Sequence, residues 1–230
     1  MTRQHTILFD IDGTLIRTGG AGMLAINHVF QERFGFENRV EVPVRGRTDF
    51  GIFGDLFRAN QICFEDHYRD FSARYHELLP SYLVQSKGGA VLPCVESLLE
   101  ELVRSEFRLG IITGNARTAA IAKLNHFGLD SYFAFGGYGD DSENRDDVAR
   151  AAVASAIEHT GAEFDVARCW VIGDTPADVT CAQSVGARSI AVLTGGYGRN
   201  DFSDCGPDLM FESLCELSCK ELLKNCPESS

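Results

Sequence analysis

The sequence is poor in positive charge. Its 230 residues include 21 Lys and Arg against 33 Asp and Glu, which gives a formal net charge of -12. A protein that neutralises many nucleic-acid phosphates needs an excess of basic residues, so we expect no nucleic-acid partner. A small phosphorylated partner is not excluded, because binding it requires only a local group of donors and a metal ion.

Long hydrophobic runs are also missing. No apolar stretch approaches the roughly 18 residues needed to cross a bilayer, so no membrane partner is expected. The first residues, MTRQH, are too short and polar to form a signal peptide. Together these observations predict a cytoplasmic protein.

The cysteines show no disulfide or metal-binding framework. There are eight, but no two are spaced as C-x-x-C, so we interpret them as reduced thiols. Cys215 and Cys219 lie one helical turn apart and Cys226 follows, yet no histidine is near them in the sequence. A metal site in this segment is therefore not expected.

What is present is an ordinary globular composition, with 44% hydrophobic and 23% charged residues. Residues 17–88 show apolar positions at helical spacing without a convincing strand. The spacing predicts helices over 23–34, 48–60 and 64–84, and we interpret their aromatic stripe as packed core. This segment is predicted to be a small all-helical domain.

Outside that segment, apolar runs of strand length alternate with helical ones. The alternation predicts an α/β fold, a Rossmann-like, doubly wound parallel sheet with helices on both faces. The core domain would comprise residues 1–16 and 89–230, and the helical domain 17–88 would be a cap inserted after the first strand. The predicted strands cover 6–10, 108–112, 132–136, 169–173, 188–193 and 208–211. The predicted helices run from about 93 to 104 and over 115–127, 147–160, 176–186 and 213–224.

The most informative segment is 10–15, DIDGTL, which directly follows the first apolar strand. A carboxylate at that point lies at the carboxyl edge of a parallel sheet, where open α/β folds bind ligands. Asp10 and Asp12 can support phosphoryl transfer, since one carboxylate attacks while the other handles the leaving-group proton. Asp and Gly are also ordinary turn residues, but the complete motif favours catalysis.

A second polar segment, Thr113, Gly114 and Asn115, follows the strand 108–112. The Thr113 hydroxyl and the backbone amides at the start of the next helix are candidate phosphate ligands. The alternative is a simple helix cap. We predict that these three residues bind the phosphate of a substrate.

Two more segments supply charge. Asp174 and Asp178 follow the strand 169–173, and carboxylates in this position are typical ligands of Mg²⁺. A cap for the helix that begins at Pro176 is the alternative, and it is compatible with metal binding. Arg145 is the only basic residue in the acidic stretch 139–147. It is a candidate for neutralising the phosphoryl group, with a solvated ion pair as the alternative.

In their order along the chain, these four segments resemble the four signatures of the haloacid dehalogenase superfamily, most of whose members are phosphatases. The resemblance is closest to the branch of phosphoglycolate phosphatase and β-phosphoglucomutase. It implies that Asp10 is the nucleophile that forms an aspartyl-phosphate. It also implies that Asp12 is the general acid and then the base, and that Thr113 binds the phosphoryl group.

The same resemblance implies a metal site and a strand order. Mg²⁺ would be held by Asp10, the main-chain carbonyl of Asp12 and Asp174, with Asp178 supporting these ligands. The strand 6–10 would lie at the centre of the sheet, between 108–112 and 169–173.

Two positions depart from the pattern of that superfamily. Arg145 stands where a lysine is usual, which keeps the charge but changes its geometry. Arg17 begins the segment RTGG, where members of this branch commonly carry an acidic residue. The second departure weakens an assignment to phosphoglycolate in particular.

The function predicted is therefore a Mg²⁺-dependent phosphatase acting on a small phosphomonoester. A phosphomutase similar to β-phosphoglucomutase and a non-enzymatic protein that binds a phosphorylated ligand remain alternatives. Dehalogenation is disfavoured because Asp12 is present. A phosphonatase is disfavoured because the only lysine near the cap is Lys87, at its very end.

The cap is expected to select the substrate. Arg45, Arg47 and Thr48 lie in a Gly-containing turn between two predicted helices, and Arg47 is our main candidate for contact with the substrate. A solvated loop between helices is the alternative. The sequence allows either a monomer or a homodimer.

Overall fold

The computed structural model describes residues 5–37, 40–161 and 164–225. The N-terminal residues 1–4 and Cys226, which entered the sequence analysis, lie outside the described residues. Among the helices that the structure describes, none combines the length and the apolar character that crossing a membrane requires.

The described residues contain eight strands. They are β1 (Thr6–Phe9), β2 (Ile16–Thr18), β3 (Gly89–Val91), β4 (Arg108–Ile112), β5 (Phe135–Gly137), β6 (Cys169–Gly173), β7 (Arg188–Val192) and β8 (Leu209–Phe211). Six of them form a parallel sheet in the order β5-β4-β1-β6-β7-β8. The predicted α/β fold is confirmed, and so is the central position of β1 between β4 and β6.

The same part of the chain contains eight α-helices. They are α1 (Ala21–Phe34), α2 (Asp49–Ala59), α3 (Phe64–Gln85), α4 (Val95–Arg104), α5 (Arg117–His126), α6 (Arg145–Thr160), α7 (Pro176–Ser184) and α8 (Cys219–Lys224). The first three form the cap, and the others flank the parallel sheet. This arrangement follows the predicted order of helices and strands.

β1 is buried on both faces because successive side chains of a strand point in opposite directions. Ile7 and Phe9 pack in one hydrophobic cluster with side chains from α4 and α5. Leu8 packs in another cluster with side chains from α6 and α7. The carboxyl end of β1 is therefore held rigidly between two covered faces of the sheet.

Three local predictions were wrong. The strand predicted over 132–136 begins only at Phe135, because Asp130–Tyr132 form a 3-10 turn after α5. The helix predicted over 213–224 is broken into a 3-10 turn and α8, since the Ser218 hydroxyl accepts a hydrogen bond from Glu221 N–H and starts a new helix.

The third correction concerns the junction between cap and core. The segment 17–88 is not purely helical at its ends, because β2 and β3 form an antiparallel pair there. Ile16 is paired with Val91 and Thr18 with Gly89. The two chain crossings between the domains are thus fixed side by side by backbone hydrogen bonds.

The aromatic stripe of the cap is its core, as predicted. Phe71 lies at its centre, with ring centroids 5.0 Å from both Phe30 and Phe57 and 5.2 Å from Phe53. All four rings are fully buried. Contacts of this kind between tilted rings stabilise a small helical domain beyond the burial of its apolar area.

The start of α2 is docked on the core. Asp49 N–H donates to the Gly114 carbonyl at 2.7 Å, and the Asp49 carboxylate accepts from Ala116 N–H at 2.8 Å. Gly114 has no room for a side chain, because a Cβ there would lie 2.0 Å from the Arg47 carbonyl oxygen. The structure therefore shows the cap closed against the loop that follows β4.

Burial raises the pKa of Asp49 to about 6, although the Lys123 ammonium and Ala116 N–H act in the opposite direction. Because this value lies above the ordinary 3.8, the contribution of Asp49 to the free energy of unfolding is present below about pH 4 and lost as pH rises through about 6. We expect Asp49→Asn to raise Tm by about 3–6 °C near neutral pH and by much less near pH 4. Thermal unfolding at both pH values checks this, with the exposed Asp204→Asn as control. An equal change in Tm at both pH values would contradict it.

The structure corrects the interpretation of all cysteines as reduced thiols. Cys94, at the start of α4, forms a disulfide with Cys215, in the 3-10 turn after β8. The two residues are 121 positions apart, so no short spacing in the sequence indicates the pair. Cys63, Cys169, Cys181, Cys205 and Cys219 are free.

We expect reduction of this disulfide to lower the free energy of unfolding by about 2–4 kcal/mol, because the bridge closes a long segment of the unfolded chain. Urea unfolding with and without reductant measures the effect. Cys215→Ser should have the free energy of unfolding of the reduced protein, and reductant should not change it. Cys63→Ser, at an exposed free thiol, should lose stability on reduction as the native protein does. A native protein whose stability does not change on reduction would refute the expectation.

Candidate active site

Asp10 and Asp12 lie directly beyond β1, at the carboxyl edge of the sheet. Asp10 is 6% exposed, and its N–H donates to the Ile172 carbonyl at 2.9 Å. Gly13 turns the chain with a φ of 89°, and a Cβ at this position would lie 2.5 Å from Asp174 Oδ2. Glycine is thus required both for the turn and for the close approach of the Asp174 carboxylate.

Three carboxylates meet at this edge. Oxygens of Asp10, Asp174 and Asp178 all lie within 4.8 Å of one another, and all three residues are buried. Burial is the largest cause that raises the pKa of Asp10 well above its ordinary value, and the charge of Asp178 is the second. The same two causes raise the pKa of Asp174 to about 7. The charged forms of these groups therefore require a compensating cation.

Arg145 supplies one positive charge. It is the first residue of α6, its Nη2 donates to Asp178 Oδ1, and the same nitrogen lies 3.9 Å from Asp10 Oδ1. Its Nε is buried and has no hydrogen-bond partner among the described residues. A buried guanidinium with an unused donor beside Asp10 is suited to an anionic ligand such as a phosphoryl group.

The remaining negative charge fits a divalent metal. One arginine cannot neutralise three buried carboxylates, and Mg²⁺ prefers carboxylate oxygens together with phosphate and water. Asp174 Oδ1 accepts a 3.1 Å hydrogen bond from Thr14 Oγ1. Asp178 is held by Arg145 and by the N–H and Oγ1 of Thr175, which leaves it a supporting position.

The carboxylate of Asp12 lies outside this acidic cluster. Its Oδ2 accepts from Lys123 Nζ at 2.6 Å and from Asn115 Nδ2 at 2.7 Å. Only the main-chain carbonyl of Asp12 was implied as a metal ligand, and that role stays a prediction. The two carboxylates of one motif thus occupy different electrostatic environments.

Thr113 and Asn115 are positioned together beyond β4. Thr113 is fully buried, and its Oγ1 accepts from Asn115 Nδ2 at 2.8 Å, which leaves the hydroxyl proton for another acceptor. Both Nδ2 protons of Asn115 are used by Thr113 and Asp12, so its side chain organises the site. Gly114 contacts the cap through its carbonyl. Phosphate binding by these three residues stays a prediction.

Lys123 is the site residue that sequence reasoning missed. It lies on α5, is 5% exposed and reaches Asp12 and Asn115. A signal for it was present, since Ala116, Ala119 and Ala120 share its helical face and are all buried. A lysine at helical spacing from a row of small buried residues is a candidate for a buried charge.

A cavity of about 470 Å³ lies between core and cap over these groups. Arg47 lines it, but its Nη2 pairs with Asp55 at 2.7 Å. Thr48 caps α2, since its Oγ1 accepts from Gly51 N–H, and it does not line the cavity. The role of Arg47 in substrate binding stays a prediction.

Two other arginines line the outer part of the same cavity. Arg17 Nη2 donates to the Thr194 carbonyl at 3.1 Å, and Arg45 lies against Gly196. Neither guanidinium forms an ion pair with a carboxylate among the described residues. The mouth of the cavity therefore carries two uncompensated positive charges in a protein that is acidic overall.

Comparison with known proteins agrees with this geometry. The family model of haloacid dehalogenase-like hydrolases matches residues 7–192. Pyrophosphatase PpaX from Bacillus cereus (strain B4264) is 26% identical over 218 residues, which cover 94% of this chain and 95% of the relative.

Two solved structures share the fold. CbbY from Rhodobacter sphaeroides, determined in complex with phosphate, is 21% identical with a TM-score of 0.72, over 95% of this chain and 99% of its own. A haloacid dehalogenase-like hydrolase from Streptococcus pneumoniae is 22% identical with a TM-score of 0.62, over 94% and 97%.

The family match begins within β1 and ends with β7, so it contains every core residue of the candidate site. It extends over most of the chain and includes the inserted cap. This chain belongs to the haloacid dehalogenase-like hydrolase family.

Proposed function

We propose that the protein is a Mg²⁺-dependent phosphatase that hydrolyses a small phosphomonoester through an aspartyl-phosphate on Asp10. The observation that carries the proposal is the position of the Asp10 carboxylate. It lies beneath the cavity between core and cap, beside a buried arginine and two further carboxylates, while Asp12 lies two residues away in a separate environment. A nucleophile and a proton-transfer group are thus both present at one strand end.

In the first step, an Asp10 carboxylate oxygen attacks phosphorus and the bond between phosphorus and the substrate's alcohol oxygen breaks. Asp12 donates its proton to that oxygen, so the product leaves as a neutral alcohol. In the second step, water attacks phosphorus and gives a proton to Asp12 while the bond to Asp10 breaks. Inorganic phosphate leaves, and both aspartates regain their initial states.

The surroundings of Asp10 are suited to the spreading negative charge of such a transition state. Arg145 has an unused buried Nε, and the Thr113 hydroxyl has a free proton. Asp10 and Asp174 would hold Mg²⁺, with Asp178 in support. When bound, the ion supplies positive charge beside the phosphoryl oxygens and favours the ionised form of Asp10.

The substrate we propose is a small phosphorylated metabolite with a second anionic group. The cavity between cap and core limits its size, and Arg17 and Arg45 present positive charge at the mouth. The name of the curated relative is consistent with this, because pyrophosphate carries negative charge at both ends. Phosphoglycolate is a simple member of this substrate class, and pyrophosphate, a phosphoanhydride, presents the same pair of charged ends.

We expect Asp10→Asn to lower kcat roughly 10⁴-fold or more, because the amide cannot form the covalent intermediate. Phosphate release from phosphoglycolate, pyrophosphate, hexose phosphates and simple alkyl phosphates measures the effect. EDTA should abolish release by the native protein, and added Mg²⁺ should restore it. Asp204→Asn, which changes an exposed aspartate outside the site, serves as the matched control.

Full activity of Asp10→Asn would refute the aspartyl-phosphate. If the folded protein with Mg²⁺ releases phosphate from none of these esters, the general phosphatase proposal fails. Conversion of one hexose phosphate isomer into another in the same reaction mixtures, measured by chromatography, would instead indicate the phosphomutase alternative.

The substrate class is tested separately. We expect Arg17→Ala and Arg45→Ala each to raise KM for phosphoglycolate and pyrophosphate about 5- to 10-fold, since each removes one charge-assisted contact. KM for ethyl phosphate, which has no second anionic group, should change less than about twofold. Arg33→Ala, at an exposed cap arginine, is the control. Equal increases in KM for all three substrates would contradict a second anion site.

A further inference from the structure

The buried amine of Lys123 is not used by the chemistry described so far. Lys123 extends from α5 to the carboxyl edge of the sheet and is 5% exposed. Its Nζ lies 2.6 Å from Asp12 Oδ2 and 2.5 Å from Asn115 Oδ1. A lysine is seldom buried to this extent without a partner of opposite charge, and here that partner is the proposed acid and base.

The contacts of Asp12 are one-sided. Its Oδ2 accepts from both Lys123 and Asn115, whereas no hydrogen bond among the described residues reaches Oδ1. Asn115 is fixed in turn, since it donates to Thr113 Oγ1 and accepts from Lys123. The carboxylate is therefore held by one oxygen, and the other is left for an exchanging proton.

The cap completes the surroundings of this amine. Asp49, at the start of α2, is buried against the Ala116 amide, and its charge interacts with that of Lys123. Lys123 thus forms an ion pair with a core carboxylate and interacts at longer range with the charge of a cap carboxylate. Its hydrogen-bond partners, Asp12 and Asn115, both belong to the core.

We infer that Lys123 is a positioning residue that holds the Asp12 carboxylate in the orientation needed for both proton transfers. This inference rests on the proposed phosphatase function. Lys123 lines the cavity, and we assign its effect to Asp12, whose carboxylate its Nζ contacts. Without the amine, Asp12 would keep only the Asn115 contact, and its carboxylate would rotate away from the leaving oxygen.

The inference makes the effect of Lys123 depend on the leaving group. An alkoxide needs a proton as it departs, whereas p-nitrophenolate is stable without one. The ratio kcat/KM reports the steps up to departure of the leaving group. In Lys123→Met we expect kcat/KM for ethyl phosphate to fall roughly 10- to 100-fold, while that for p-nitrophenyl phosphate changes less than about twofold.

The second half-reaction gives an independent measurement. Because hydrolysis of the aspartyl-phosphate also requires Asp12, Lys123→Met should accumulate this intermediate with p-nitrophenyl phosphate. A rapid-mixing experiment should show a larger burst of p-nitrophenolate than the native protein gives. In the Asp12→Ala background, Lys123→Met should lower kcat/KM no further, because both changes remove the same proton transfer.

Several results would overturn the inference. Equal losses of kcat/KM for the two esters, or a further loss in the Asp12→Ala background, would show that Lys123 does not act through Asp12. Lys123→Gln, which keeps a polar group, is a second variant, and unfolding of both would assign Lys123 a purely structural role. Lys220→Met, at an exposed lysine on α8, is the control. A native protein inactive on both esters would instead indicate failure of the phosphatase proposal.

Discussion

Repulsion among buried carboxylates is the constraint on which the rest of the site depends. Asp10, Asp174 and Asp178 are brought together because β1 and β6 are adjacent and end at the same edge of the sheet. Buried like charges at such distances strongly disfavour one another. The surrounding residues are arranged to offset this: Arg145 neutralises part of the charge, and the hydroxyls of Thr14 and Thr175 donate to it. The negative charge that remains is suited to a divalent ion, which can in turn bind a phosphate. The repulsion that destabilises the empty site therefore favours binding of the ion.

The cap covers this site and adds no carboxylate to the cluster of Asp10, Asp174 and Asp178. Its own stability comes from the aromatic cluster around Phe71, which also packs against Ala119 on α5 of the core. It is attached by two short crossings, β2 and β3, and docked by the start of α2 on Gly114. A rigid body on a narrow hinge can open for substrate and close for chemistry. A cavity from which water is excluded has a lower local dielectric, which strengthens the interactions that favour phosphoryl transfer.

The sequence predicted those features that depend on local order along the chain. Alternating apolar runs determined the sheet, and the residues that follow each strand marked Asp10, Thr113 and Asp174. Features formed by distant segments were not predictable in this way. The disulfide joins Cys94 to Cys215 across 121 positions, and the pairing of β2 with β3 involves three residues on each side. Lys123 was missed because it lies in the last turn of α5, well beyond the strand end whose residues mark this part of the site.

The separation of Asp10 from Asp12 is the last consequence of this arrangement. Both carboxylates belong to one turn, yet the first is buried among carboxylates and the second is 38% exposed and bound to an amine. If the Asp12 carboxylate also faced the acidic cluster, it would be a fourth negative charge there and would raise the free energy of every ionised state. Turning Asp12 toward Lys123 and Asn115 keeps its carboxylate out of that cluster and pairs it with an amine. One short motif can thus provide two carboxylates with different tasks, because the fold places Asp10 beside two carboxylates and Asp12 beside an amine.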